Sequence, residues 1–296
     1  MRFSLHQLRV FAAVARLLSY TRAAEELHLT QPAVFTQVKQ LEESLGQPLL
    51  ERLGKQLFLT DAGRETLATA HETLNALERL EMRLADLQGL KRGRLRLAIV
   101  TTAESLIPRL LGAFCQQYPG IDATLTVANR ETLLSRLADN IDDLVVLGAP
   151  PEHIDVVATA FADNPLVVVA RHDHPLANSR AIALTRIAEE SLILREAGSG
   201  TRLAAERLFA EHGLEPRVRL ELGSNEAVKQ AVAGGLGLTL LSAHTLALEG
   251  ESGLLRVLDV EGLPLLRQWY VAYLRGKHLS VVAEAFLDFL LAGQRR

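Results

Sequence analysis

Thr21-Arg22-Ala23-Ala24-Glu25-Glu26-Leu27-His28-Leu29-Thr30-Gln31-Pro32-Ala33-Val34-Phe35-Thr36-Gln37-Val38-Lys39-Gln40-Leu41-Glu42 decides how this chain is read. It spells two short helices joined by a tight turn, the first running from about Thr21 to His28. Thr30 then stands as a helix cap, and Gln31-Pro32 puts proline in the first turn, where its missing N–H costs nothing. Val34, Val38, Leu41 and Leu45 recur at helical spacing and predict the buried stripe of the second helix, which Gly46 ends. Rotation by about 100° per residue puts Pro32, Thr36, Lys39 and Glu43 on the opposite side, with Phe35 and Gln40 flanking.

Upstream, Leu5, Leu8, Val10, Phe11, Val14, Ala15 and Leu18 make one apolar helix face. Downstream, Leu57-Phe58-Leu59-Thr60 after Gly54-Lys55-Gln56 suggests a small β-wing. A capped helix with small polar side chains on its free face is the form of a helix that enters the major groove of DNA. Over residues 1–60 seven basic side chains stand against five acidic ones, a net of +2, while the whole chain carries −3. A DNA surface must therefore be a local patch. Arg22, Thr30, Arg52 and Lys55 are the phosphate candidates, and Gln31, Pro32, Phe35, Thr36 and Lys39 the groove-facing ones. Phe35 has two readings, a residue at the edge of the core or an apolar contact to a thymine methyl.

Thr60 caps a second zone, 61–90, read as one long helix. Leu67, Ala70, Leu74, Leu77, Leu80, Leu84 and Leu87 follow at three- and four-residue steps, a coiled-coil-like seam. Pairing with a second copy buries such a seam; packing on the chain's own C-terminal part is the alternative. Leu67, Leu74, Leu77 and Leu84 are the dimerisation candidates.

From Gly93 to the end, apolar strands alternate with amphipathic helices, as in a doubly wound α/β unit. Some 200 residues in this rhythm suggest two lobes. Arg195-Glu196-Ala197-Gly198-Ser199-Gly200-Thr201-Arg202 lies between a strand and a helix. Its glycines allow close backbone approach, and the helix N-terminus offers unpaired N–H groups, a competent place for phosphate or carboxylate. Arg195, Ser199, Gly200, Thr201 and Arg202 are candidates there. Thr101, Thr102, Asn129 and Arg130 follow strands of the other lobe, where open α/β sheets take ligands. Asn225, at the head of another helix, joins them, and Lys229 reads as a solvated helix face.

Other chemistry finds no support. The one cysteine, Cys115, lies in Leu110-Leu111-Gly112-Ala113-Phe114-Cys115 and is expected on a buried helix face. His172-Asp173-His174 has no further ligand nearby, so no metal is expected. Gly198-Ser199-Gly200 lacks the spacing of a nucleophile elbow, and Gly234-Gly235-Leu236-Gly237 precedes a strand instead of opening a helix. No enzyme is expected. No signal-peptide-like run is visible and no apolar stretch approaches the ~20 residues of a span, so the cytoplasm is the expected compartment, without a membrane partner.

The chain resembles LysR-type transcriptional regulators over its whole length. Leu8-Arg9-Val10-Phe11, Ala23-Ala24-Glu25-Glu26-Leu27, Thr30-Gln31-Pro32-Ala33-Val34, Gln40-Leu41-Glu42 and Leu57-Phe58-Leu59-Thr60-Asp61-Ala62-Gly63 carry the resemblance. The family usually has Ser where Phe35 stands and Phe where Leu50 stands. The resemblance implies a winged helix-turn-helix over 1–60, a linker and dimerisation helix over 61–90, and a two-lobed α/β effector domain over 93–296. That domain would resemble periplasmic binding proteins, with lobe I about 93–162 plus 268–296 and lobe II about 163–267. It also implies dimers, usually assembled into tetramers, promoter DNA and RNA polymerase as partners, and an effector between the lobes.

A narrower resemblance is to regulators of Calvin-cycle (RuBisCO) operons, the CbbR group. It rests on Asn129-Arg130-Glu131-Thr132-Leu133-Leu134, Gly148-Ala149-Pro150-Pro151, Leu194 through Arg202, and Gly223-Ser224-Asn225-Glu226-Ala227-Val228-Lys229-Gln230-Ala231-Val232. Ala149 stands where an arginine is expected. The implied role is activation of carbon-fixation genes in response to an anionic metabolite, a phosphorylated one or a nicotinamide nucleotide, with no other cofactor. The alternatives are a LysR-type regulator of another pathway and a small-molecule-binding receptor.

Overall fold

The computed structural model describes residues 3–54, 56–87, 92–246 and 253–293. Lys55 and the side chain of Leu87 lie outside the described residues. The chain forms two compact units, one built from the first 88 residues and the other from the remainder apart from a three-residue stretch, Asp139–Ile141.

The first unit opens with α1 (Leu5–Leu17), capped by Ser4, whose hydroxyl accepts from Gln7 N while the Gln7 side chain accepts from Ser4 N. α2 (Tyr20–Glu26) and α3 (Gln31–Leu45) follow. Thr30 Oγ1 accepts from Ala33 N at 3.4 Å, Pro32 lies in the first turn, and Gly46 closes α3 at φ 72°. Val34, Val38 and Leu41 are fully buried against Val10, Phe11 and Val14 of α1 and Ala23 and Ala24 of α2. Leu45, expected in the stripe, is instead 37 % exposed, because it lies in the last turn of α3, one residue before its glycine cap.

The wing is a hairpin of β1 (Leu50–Leu53) and β2 (Gln56–Leu59), with Leu50 opposite Leu59 and Leu53 opposite Gln56. Leu50, at the family's usual Phe position, is buried. α4 (Asp61–Leu87) starts where Thr60 Oγ1 accepts from Gly63 N at 3.0 Å and donates to Pro48 O. Its first turns belong to the head: Ala70 is fully buried there and Leu67 packs against the same core. Within one chain Leu67, placed by the sequence in the seam, thus packs on the head's own core. Leu80 and Leu84, further along α4, are each about half exposed.

α4 runs so close to the chain before the wing that a Cβ on Gly63 would sit 2.0 Å from the Leu49 carbonyl oxygen. Backbone cannot yield as a side-chain tip can. Gly63→Ala is expected to destabilise the head by about 2 kcal/mol or more, read as a lower midpoint in its thermal melt.

The second unit carries its sheets in two lobes. In the first, the strand order is β4 (Ile121–Ala128), β3 (Gly93–Val100), β5 (Leu144–Leu147), β12 (Gln268–Leu274), β6 (Val156–Asp163). β3 pairs in parallel with β4 and β5, whereas β12 pairs antiparallel with β5 and β6. The sheet is therefore mixed. The chain leaves this lobe through β6 and returns through β12, and outgoing and incoming strands side by side must oppose. The helices α5 (Ile107–Gln117), α6 (Arg130–Ala138) and α10 (Val281–Ala292) belong to this lobe. Phe114, Phe286 and Phe289 meet between α5 and α10, with ring centroids 5.0–6.3 Å apart. Cys115 is half-buried, not on the core face that its apolar neighbours suggested.

In the second lobe β7 (Leu166–Arg171) pairs antiparallel with β10 (Thr239–Ser242) and β11 (Leu255–Val257), and β8 (Ser191–Arg195) pairs in parallel with β9 (Arg217–Leu222). Its helices are α7 (Leu184–Glu189), α8 (Gly200–Glu211) and α9 (Asn225–Ala233). Leu166, Val168, Leu192, Leu194, Leu208, Phe209 and Leu240 form its core.

Candidate functional site

In the head, Gln31, Pro32, Phe35, Thr36 and Lys39 share one exposed face of α3, and Arg22, Thr30 and Arg52 are exposed as well. Several of these groups are already engaged. Thr36 Oγ1 donates to Pro32 O at 2.8 Å, and Arg52 Nε donates to Gly54 O at 3.2 Å. Lys39 Nζ lies 2.7 Å from a Glu42 carboxylate oxygen. Glu42, which the sequence shows only as one more acid, is buried; its other oxygen accepts from Leu49 N at 2.8 Å and Leu50 N at 3.2 Å. It ties α3 to the start of the wing. A carboxylate followed by a short loop and an apolar strand is the only trace of this in the sequence.

The second unit holds a cleft between its lobes. Three parallel strands of the first lobe end on it: β3 leads to Thr101 and Thr102, β4 to Arg130, and β5 to Gly148. The opposite wall is Ser199, Gly200 and Thr201 at the start of α8, and Asn164 and Arg267 lie on the two interlobe crossings. The cleft is narrow, with about 20 Å³ of free volume inside it.

Two guanidinium groups face it with no carboxylate partner among the described residues. Arg130 donates to Ala149 O at 2.6 Å and Pro150 O at 3.4 Å. Arg267 donates to Gly148 O at 3.0 Å and Gly200 O at 3.3 Å. Burial, and then the neighbouring charges of Arg130 and Arg207, pull Arg267 below the usual guanidinium pKa. Burial does the same to Arg130, with Glu152 opposing. Glu152 compensates these like charges only on the Arg130 side, and a bound anion supplies the rest. Ser199 Oγ caps α8 by accepting from Thr201 N at 3.3 Å, and the first turn of α8 adds the positive end of its dipole.

Four of the expected effector residues do other work. Arg195, only 1 % exposed, is consumed by its own surroundings. Its Nε donates to Glu196 at 2.8 Å and its Nη2 to the other Glu196 oxygen at 3.0 Å and to Thr101 Oγ1 at 2.9 Å. Its Nη1 donates to Asn225 Oδ1, and Asn225 Nδ2 donates to Thr101 O at 3.2 Å. Arg195 and Asn225 thus latch the second lobe to Thr101 of the first. Arg202 is taken up by Glu206 and Glu221. Asn129 caps α6, its Oδ1 accepting from Thr132 N at 2.9 Å. Lys229, expected to be solvated, is buried and pairs with Glu226 at 2.8 Å.

The structure therefore gathers Thr101, Thr102, Arg130, Ser199, Gly200 and Thr201 at the cleft and adds Gly148, Asn164 and Arg267, which sequence reasoning missed. Gly148 ends the apolar run of β5, and Asn164 and Arg267 flank the crossings; those were the available signals. Among the described residues no cluster of metal-ligating side chains occurs and no helix is long and apolar enough to cross a membrane.

A winged helix-turn-helix and a two-lobed cleft fit for a small anion together define a ligand-responsive regulator of transcription. The profile of the bacterial regulatory helix-turn-helix of the lysR family matches residues 5–64, and that of the LysR substrate binding domain matches residues 88–295. This chain belongs to the LysR family. It is 54 % identical over 289 residues to a RuBisCO operon transcriptional regulator of Acidithiobacillus ferrooxidans, covering 98 % of this chain and 94 % of that one. It is 52 % identical to the transcriptional activator CmpR of Synechocystis, over 98 % of this chain and 95 % of that one. The regulatory domain of Synechocystis CcmR in complex with 2-PG (2-phosphoglycolate) is 54 % identical, with a TM-score of 0.68 over 69 % of this chain and 99 % of that one. Full-length CbnR, a LysR family regulator, shares the fold at a TM-score of 0.70 and 22 % identity, over 99 % of this chain and 100 % of that one.

Proposed function

We propose that this chain activates carbon-fixation operons, binding promoter DNA through α3 and the wing and answering to a small phosphorylated anion held between Arg130, Arg267 and the start of α8. The observation that carries this is a pair of guanidinium groups, neither in an ion pair among the described residues, in a cleft lined by hydroxyls and a helix N-terminus. The 54 % identity to a regulatory domain solved with 2-PG supports this ligand class. The copies associate through the exposed leucines of α4, Leu80 and Leu84, together with Leu74 and Leu77, into dimers and then tetramers, and the complex engages RNA polymerase. The ligand favours one lobe orientation and so changes the spacing of the heads and the bend of the DNA.

Calorimetric titration of 2-PG into the full chain tests the sensor: saturable binding of one anion per chain supports it, and no heat beyond that of sulfate contradicts it. Gly148→Ala is a milder probe. Its Cβ would lie 2.9 Å from Arg267 Nη2 and 3.4 Å from Asn164 Nδ2, so the guanidinium must swing away from Gly148 O. We expect roughly tenfold weaker 2-PG binding, the worth of one charged hydrogen bond, with an unchanged melting midpoint.

A further inference from the structure

The α3 face carries one side chain that phosphate contacts and polar base readout do not explain. Phe35 stands one turn after Gln31 and Pro32 and one turn before Lys39, and it is 46 % exposed. Val34 and Val38 are wholly buried, whereas Phe35 leaves nearly half of its surface open. It is nonetheless held in place. The Tyr20 ring of α2 packs on it at 5.4 Å between centroids, tilted by 58°, and Lys39 Nζ lies 5.8 Å from its centroid. Lys39 is itself fixed by Glu42. Burial, with Glu42 adding, pushes the pKa of the Tyr20 hydroxyl up to about 12.

The outcome is a pre-positioned aromatic platform on a face that also carries Gln31, Thr36 and Lys39. The apolar group that a base pair offers in the major groove is the C5 methyl of thymine. We propose that Phe35 is a specificity-determining residue that selects thymine at one operator position by packing its ring on that methyl. The inference rests on the assignment of α3 to DNA.

The full chain would select its site from a random pool of duplexes. Each thymine of that site would then be replaced singly by uracil, which lacks only the methyl, and Kd measured by anisotropy for wild type, Phe35→Ser and Phe35→Leu. We expect one position, with its symmetry mate, at which uracil weakens the wild type about fourfold, the worth of one buried methyl at about 0.8 kcal/mol. Phe35→Ser should show no loss at that position. A wild-type scan with no sensitive position, or a loss identical in wild type and Phe35→Ser, overturns the inference. If Phe35→Ser does not fold, Phe35→Leu, which keeps an apolar edge without the reach of the ring, takes its place. Failure to enrich any sequence would overturn the DNA-binding assignment itself, a result distinct from enrichment without methyl dependence.

Discussion

Arg267→Met is expected to remove the response to a phosphorylated anion while leaving the empty protein about as stable as the parent. The two halves have different physical origins. With the cleft empty, the Arg267 charge is held in a poorly solvated place, with Arg130 and Arg207 as like-charged neighbours and no carboxylate in reach among the described residues. A side chain of similar length without charge relieves that repulsion, offsetting the lost hydrogen bonds to Gly148 O and Gly200 O. With the anion bound, the same guanidinium supplies charge-assisted hydrogen bonds, and their loss costs about 3 kcal/mol, roughly 100-fold in affinity. Thermal melts with and without 2-PG check both. The parent should gain stability with ligand and the variant should not, while their ligand-free midpoints agree. A variant that still binds 2-PG with parental affinity would remove Arg267 from the site.

Arg195→Met is expected to do the opposite, lowering the stability of the second unit whether or not ligand is present. Each of the three guanidinium nitrogens of this buried side chain donates, to acceptors on Glu196, Asn225, Thr101 and Gly223. Removing it leaves the Glu196 carboxylate without its counter-charge and Asn225 and Thr101 without a donor. Breaking a buried pair from one side costs about 3–5 kcal/mol, a fall in melting midpoint of roughly 10 °C for a unit of this size. Arg195→Lys should rescue little, since an ammonium cannot reach all these acceptors in the fork geometry. A midpoint within about 2 °C of the parent would show that the latch contributes nothing measurable.

These two arginines also mark the limit of what the sequence makes legible. The head is written in local signals: the Thr30 and Thr60 caps, Pro32, the α3 stripe up to Leu41 and Gly46 all act within a few residues of themselves, and each sits where its chemistry requires. Strands of the second unit are equally readable as apolar runs, and the ends of β3, β4 and β5 mark the cleft. What the sequence does not display is which charges cancel. Arg195 and Arg202 flank a glycine-rich turn and look free, but Glu196, Glu206 and Glu221 neutralise them, the last from 19 residues away. Arg267 is 67 residues from Gly200 and 119 from Gly148, so only the fold brings it to the anion. The long-range sheet order hides in the same way, because β12 meets β5 and β6 across more than a hundred residues.

Ligand-tuned DNA binding is tested most directly by a DNA footprint of the full chain on the promoter beside its gene, taken with and without 2-PG, for the parent and for Arg267→Met. Both proteins should protect the same region without ligand, and 2-PG should change the length or the bend-induced hypersensitivity of the parent's footprint alone. A footprint that 2-PG changes equally in both proteins, or in neither, would contradict it.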